Sequence, residues 1–420
     1  MTRVRRATGR TFESLHVRNF RLYFFGQVVS ASGSWMQYFA QLWLVLRLTG
    51  SGIALGVTLA LQFAPTLVAG AWGGLIADRL DKRKVLVVTS AAATVLAFAL
   101  GTIVWLGAVE LWMVYALAFA MGCVTALDNP ARRAFVVEMV GPEQVANATA
   151  LTSAVFTASR VVGPALAGLL IAGVGIAWCF FANAVSYGAV IAALLMMRRA
   201  ELHAVEPAPR AKGQLRDGLR YTWRTPELRV PLAMVAVIGT LSFNFQLVLS
   251  LMTTQVFHVG SRQLGITMAL MSVGSVLGAL TAAHHARPTH HLLVVSAFAF
   301  GALMTVASLS PTLPVLMLLL VPTGFAGMAF LSMANSSLQL RAAPQMRGRV
   351  GALFGVAFLG TTPIGAPIVG WVAEQFGPRS GLVVGGVAAL VTAAVAARSR
   401  VPVHEATPSE TVPGLADAVA

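Results

Sequence analysis

A series of apolar runs, each long enough to cross a lipid bilayer, constrains this chain of 420 residues more than any other feature. The runs fall at approximately 20–46, 52–77, 85–106, 111–131, 145–173, 176–197, 230–257, 264–283, 291–309, 312–339, 350–373 and 380–397. A helix rising about 1.5 Å per residue needs about 20 mostly apolar residues to span the hydrocarbon layer, and every run suffices. With 57% hydrophobic residues and a mean hydropathy of +0.76, the chain has more apolar side chains than a soluble core could bury. Barrel strands would alternate over about ten residues, and these runs do not. The expectation is an all-α membrane protein with twelve transmembrane helices.

The charges orient the bundle. With both termini on the cytoplasmic side, 26 of the 30 Lys and Arg residues lie in cytoplasmic segments. Arg47, Arg262 and Arg379 lie in outer loops, and Arg160 alone falls inside a span. Cytoplasmic loops retain basic residues, so this asymmetry supports cytoplasmic N- and C-termini. It also accounts for the net charge of +15 by short loops facing anionic lipid, with no nucleic acid as partner. Cys123 and Cys179 both lie in expected spans, which leaves no disulfide framework. The basic start, Met1 to Arg21, precedes an apolar run that is too long for a signal peptide and has no small-residue cleavage site, so it reads as an uncleaved first helix.

The longest polar interruption divides the spans six and six. The expected units are an N-terminal six-helix bundle (1–197), a cytoplasmic linker (198–229), a C-terminal six-helix bundle (230–397) and a disordered cytoplasmic tail (398–420). Two fused, pseudo-symmetric repeats around a central path have this layout. Between the second and third runs, the segment Gly73–Lys84 packs six charges into seven residues, from Asp78 to Lys84, in a chain only 11% charged. Its counterpart, Gly278–Ala282, lacks the acid and is followed by His284, His285, His290 and His291. That tract reads as the remnant of a charged loop more readily than as a metal site, and no metal or cofactor is expected.

These residues resemble the major facilitator superfamily. Gly74, Asp78, Arg79, Arg83 and Lys84 fit the motif its members carry between helices two and three, while Asp81 stands where the family usually has Gly. Four other stretches resemble bacterial exporters related to the enterobactin exporter and to macrolide efflux proteins. They are Leu15–Arg21, Asn129–Arg133, Gly163–Gly168 and Arg347–Val350. Arg160, Gly163, Pro164 and Gly168 lie on the fifth span, whose Gly-Pro element is similar to a motif of exporters and antiporters, with Leu169 in place of a second Gly. The resemblance implies a bacterial inner-membrane, multi-pass secondary transporter, monomeric and without enzymatic activity. It is expected to export a hydrophobic or amphipathic small molecule (a drug, macrolide or siderophore) by alternating access coupled to protons. A proton-coupled importer of a nutrient solute is the alternative, and an integral membrane enzyme a distant one.

The charged loop then makes sense as a cytoplasmic gate. A carboxylate at Asp78 can accept from the free N–H groups that begin another helix, by resemblance span eleven, whose start carries Arg347 and Arg349. Asp128 is the expected partner for Arg79, Lys82 or Arg83. Anchoring of the loop at the lipid surface is the simpler reading of the same charges. Arg160 sits close to mid-depth, where a lone Arg costs at least about 2.5–3.5 kcal/mol, so it faces a cavity or partner unless the helix starts later and lets it snorkel. Gln27, Ser30, Ser34, Gln37 and Gln41 form one continuous stripe on span one. Span seven offers Ser242 and Gln246, and span ten Asn335 and Gln339. Family resemblance puts spans one, four, seven and ten along the substrate path; interhelical hydrogen bonding is the competing reading. No acid falls clearly at mid-membrane, which leaves Asp128 and Glu374 as candidates for the coupling group.

Overall fold

The computed structural model describes residues 12–203, 214–284, 289–358 and 360–399, leaving aside the side chains of 69–79, 214–217, 283–284 and 344. Its α-helices in chain order are α1 (Arg18–Thr49), α2 (Gly52–Arg79), α3 (Lys82–Trp105), α4 (Leu111–Val140), α5 (Val145–Gly173) and α6 (Ala177–Leu195). A short α7 (Gln214–Arg224) precedes α8 (Pro226–Leu241) and α9 (Phe245–Leu251). Then come α10 (Ser261–His284), α11 (His290–Ser308), α12 (Leu313–Arg341), α13 (Arg347–Phe358), α14 (Thr362–Phe376) and α15 (Pro378–Arg398). The described residues contain no strand. Ten helical stretches among them are long and apolar enough to cross a membrane, counting α8–α9 and α13–α14 as one stretch each. Helix α1 has the length, at 32 residues, but its Gln and Ser stripe dilutes its apolar character. In α2 the apolar stretch with described side chains is Gly52–Val68.

Local chemistry sets the helix ends and breaks. Asp81 caps α3, its carboxylate accepting from the Lys84 N–H at 3.2 Å. Its φ of −58° needs no glycine, so the departure from the family pattern at this position leaves the turn intact. The α8–α9 break at Ser242–Asn244 is held by Asn244, whose amide donates to the Thr240 carbonyl at 2.7 Å. Phe243 and Phe245 flank that break, their rings 6.3 Å apart and perpendicular.

The two halves repeat one pattern. In the first, α1 packs on α5 and α6, α2 on α4, and α3 on α4 and α6. In the second, α8 packs on α13, α14 and α15, α10 on α12, and α11 on α12 and α15. The main joints between halves are α2 with α14 and α5 with α10. Both depend on small residues, because backbones approach closely only where side-chain bulk is missing. A Cβ on Gly56 would lie 2.6 Å from the Ala366 carbonyl oxygen, and one on Gly168 2.8 Å from that of Ser261. A Cβ on Gly265 would lie 2.7 Å from the Pro164 carbonyl oxygen.

These close contacts cluster at one end of the molecule, the end where α1 finishes and α2 starts, called here the distal end. The other is the basic end. Toward it, among the described residues, α13 packs mainly on α7, α8 and α12 of its own half, while Thr149, Ser153 and Phe156 on the matching half of α5 are exposed. Among the described residues the molecule is therefore sealed at one end and more open at the other.

Candidate functional site

The distal seal is pinned by one carboxylate. Glu374, near the end of α14, accepts from the Ser51 hydroxyl at 2.5 Å and from the Ile53 N–H at 2.9 Å. It thus serves the free donors at the N-terminus of α2, where a helix dipole favours negative charge. Beside it the Gln255 side-chain amide donates to the Gly50 carbonyl at 2.7 Å. Just below this seal, at mid-depth between the halves, lies a cavity of about 80 Å³. The first half contributes Trp35, Tyr38 and Phe39 from α1 and Thr157, Arg160 and Pro164 from α5. The second contributes Phe243, Phe245, Gln246 and Leu249 around the α8–α9 break, with Met268, Met271, Ser272, Ser275, Met328 and Phe358. Arg160 is the one charged residue in this lining. Its guanidinium carbon lies 5.1 Å from the centre of the Trp35 ring, a cation–π arrangement. The backbone carbonyl of Arg160 accepts from Ser272 of α10 at 3.2 Å, which ties the halves at this level.

The fifth-span residues build the closure above this cavity. Gly163 meets Trp35, Pro164 meets Gly265 and Gly168 meets the backbone of Ser261, so missing bulk in α5 lets α1 and α10 close over Arg160. The polar stripe of α1 does something else. Gln27, Ser30, Ser34, Gln37 and Gln41 line a second cavity of about 180 Å³ in the first half, walled by α1 to α6 with Phe156 as the contribution of α5. Gln37 accepts from Asn183 at 2.6 Å, and Ser34 lies 3.1 Å from the Tyr187 hydroxyl. The Nε2 atoms of Gln27 and Gln41 and the Ser90 hydroxyl are buried without a protein partner. Trp35 and Tyr38 line both cavities and form the wall between them.

Of the other positions singled out in spans seven and ten, only Gln246 lines the central cavity. Ser242 is buried and donates to the Gly385 carbonyl of α15 at 2.7 Å. Asn335 is exposed in the basic half of α12, and Gln339 lies beside Gly351 of α13. The aromatic and Met lining of the second half was missed at the level of sequence. The paired Phe residues around Ser242–Asn244 and the Met268/Met271 spacing were the available signals.

At the basic end the described gate residues take partners within their own halves. Asp128 pairs with Arg132 at 2.6 Å and accepts from Thr89 at 2.7 Å, so its described partners lie within the first half and do not include Lys82 or Arg83. Lys82 pairs instead with Glu138 at 2.6 Å. Arg83 is buried and donates to the Leu194 and Leu195 carbonyls at 2.6 and 3.1 Å, satisfying the C-terminus of α6. Arg347 donates to the Ala342 carbonyl at 3.4 Å and Arg349 contacts the Met346 sulfur, both within the second half. Gly74, Asp78 and Arg79 lie on the basic half of α2, with side chains outside the described residues. His285 also lies outside them, while His290 donates to the Ala396 carbonyl at 3.0 Å, a contact between α11 and α15.

Comparison with known proteins agrees with this architecture. Residues 10–418 match the model of the transmembrane secretion effector family. The chain is 26% identical to the multidrug efflux pump Tap of Mycolicibacterium fortuitum over 85% of this chain and 89% of that one. It is 25% identical to the enterobactin exporter EntS of Shigella flexneri over 80% of each. Among solved structures, the nucleoside transporter NupG superposes with a TM-score of 0.69 at 13% identity, covering 91% of this chain and 98% of NupG. A bacterial homolog of the lysosomal transporter Spinster, in an inward-facing, occupied conformation, gives 0.71 at 15% identity over 93% and 97%. These likenesses support the fold of a multi-pass membrane transporter and no enzyme. The chain belongs to the transmembrane secretion effector family of major facilitator transporters.

Proposed function

We propose that this protein exports a hydrophobic or amphipathic small molecule across the bacterial inner membrane by alternating access. The observation that carries the reading is the mid-depth cavity walled by aromatic and Met side chains, beneath a sealed distal end and above a more open basic end. The basic-residue asymmetry supports twelve crossings with both termini cytoplasmic, the more open end then facing the cytoplasm, the side from which an exporter loads. Kinship with an efflux pump and an exporter points the same way. At about 80 Å³ the cavity is smaller than the roughly 300 Å³ of a drug-sized pocket, so the cargo extends toward the more open end or displaces the adaptable Met268, Met271 and Met328 side chains. In this reading protons drive the cycle through Asp128, the acid that lines the polar cavity of the first half, and the protein works as a monomer. Everted inner-membrane vesicles test direction and coupling together. Export appears as ATP-independent uptake of cargo into such vesicles, abolished when the pH gradient is collapsed. Uptake only in right-side-out cells would overturn the reading in favour of import.

A further inference from the structure

The central cavity carries a chemical preference beyond a taste for greasy molecules. Among the described residues, the ion pairs are Lys82–Glu138, Arg132–Asp128 and Arg198–Glu201, and none involves Arg160. Among the described residues, the lining of the central cavity contains no Asp or Glu to balance it. The Arg160 guanidinium lies over the Trp35 ring at 5.1 Å from its centre, and the planar fork of N–H donors that an Arg carries matches the two oxygens of a carboxylate or sulfonate. The opposite wall is apolar and aromatic, with Gln246, Ser272 and Ser275 as its polar points. An unpaired cation at mid-depth repels a lipophilic cation brought within about 5 Å and attracts an anion, in a medium that screens charge poorly.

We propose that the cargo is an amphipathic anion, held by its acidic oxygens on Arg160 and by its ring system on the apolar wall of the second half. This rests on the reading of the cavity as the transport site. Lipophilic cations are disfavoured for the same electrostatic reason. The cation–π contact with Trp35 restrains the guanidinium, which lowers the side-chain ordering cost of binding an anion.

The test uses the full chain in phosphatidylcholine nanodiscs, with equilibrium dialysis of two radiolabelled probes on one frame, a toluidinyl-naphthalene sulfonate and its trimethylammonium counterpart. The native protein is expected to bind the sulfonate at least about tenfold more tightly than the ammonium probe. Arg160→Gln raises the sulfonate Kd at least about tenfold and leaves the ammonium Kd unchanged or lower. Arg160→Lys keeps the preference with a few-fold loss, because the charge stays while the fork is lost. Tighter binding of the ammonium probe by the native protein overturns the proposal. So does sulfonate binding untouched by Arg160→Gln, or binding of neither probe. Uptake of both probes into everted vesicles separates the two claims. Arg160-dependent sulfonate binding without uptake keeps the anion site and rejects the exporter. Uptake of either probe that ignores Arg160 keeps the exporter and rejects the anion site.

Discussion

The two ends of α2 offer an instructive contrast. Its distal end meets α14 through glycines and a single carboxylate, Glu374, and is sealed. Its basic end leads into the densest run of charge in the chain, and the described residues there show no comparable joint between the halves. Three of the four described charges of that run are occupied within their own half: Asp81 caps α3, Lys82 holds Glu138 and Arg83 holds the end of α6. Charge density therefore does not make a seal; closeness of backbones does. The basic loop is first an anchor that stiffens the N-terminal bundle, and only residues left over from that task can bridge to the second half. Asp78 stands on the same helix as the receptor of Glu374, at its opposite end. In the proposed cycle it takes the mirror-image part, capping the start of α13 when the basic end closes and the Glu374 cap opens.

The comparison can be broken most forcefully at Gly56. Gly56→Leu places bulk against the backbone of Ala366 and Pro367, an overpacking of about 1–3 kcal/mol or more that holds the distal end ajar. Transport should fall at least tenfold while membrane insertion, followed by surface labelling and yield, stays normal. Asp78→Asn comes next. It removes the charge proposed to cap α13, and transport should drop several-fold with unchanged insertion, by roughly the 1–3 kcal/mol of a conformational coupling. Normal turnover in that variant would leave the basic loop as anchor alone. Glu374→Gln weakens the distal cap without emptying it, since an amide oxygen still accepts. A cap is worth about 1 kcal/mol, so a two- to fivefold increase in alkylation of a cysteine placed at Leu55 is expected. The smallest effect belongs to Leu169→Ala on the outer face of α5, 57% exposed, which should leave transport within about twofold of the native value.

Much of this was legible in the sequence, and the boundary of what was legible has physical causes. Apolar run length gives helices directly, because a bilayer leaves the backbone few alternatives. Arg160 stands out in the sequence because a cation at mid-depth is costly, and it does line the central cavity. The α1 stripe was visible as non-lipid, but periodicity reports only that a face avoids lipid and not which partner it finds. Gln37 turned to Asn183 inside the first half, away from the central path. Asp128 meets neither Lys82 nor Arg83 for a related reason. Asp128 had basic neighbours on the adjoining loop and one turn along its own helix, and the helical neighbour Arg132 won because its reach is fixed by the helix itself. Glu374 reads in the sequence as a candidate coupling group, and its capping of α2 is hidden there because nothing local announces that α2 starts beside it.

Paired distances across the two ends test the central claim most directly. Spin labels at Leu48 and Phe376 report the distal end, and labels at Leu80 and Arg347 the basic end, each pair measured by double electron–electron resonance in nanodiscs with and without cargo. The account predicts opposed changes, the distal distance lengthening whenever the basic distance shortens, with Glu374→Gln and Asp78→Asn biasing the populations in opposite directions. Distances that lengthen together, or a basic end that never closes, would contradict it.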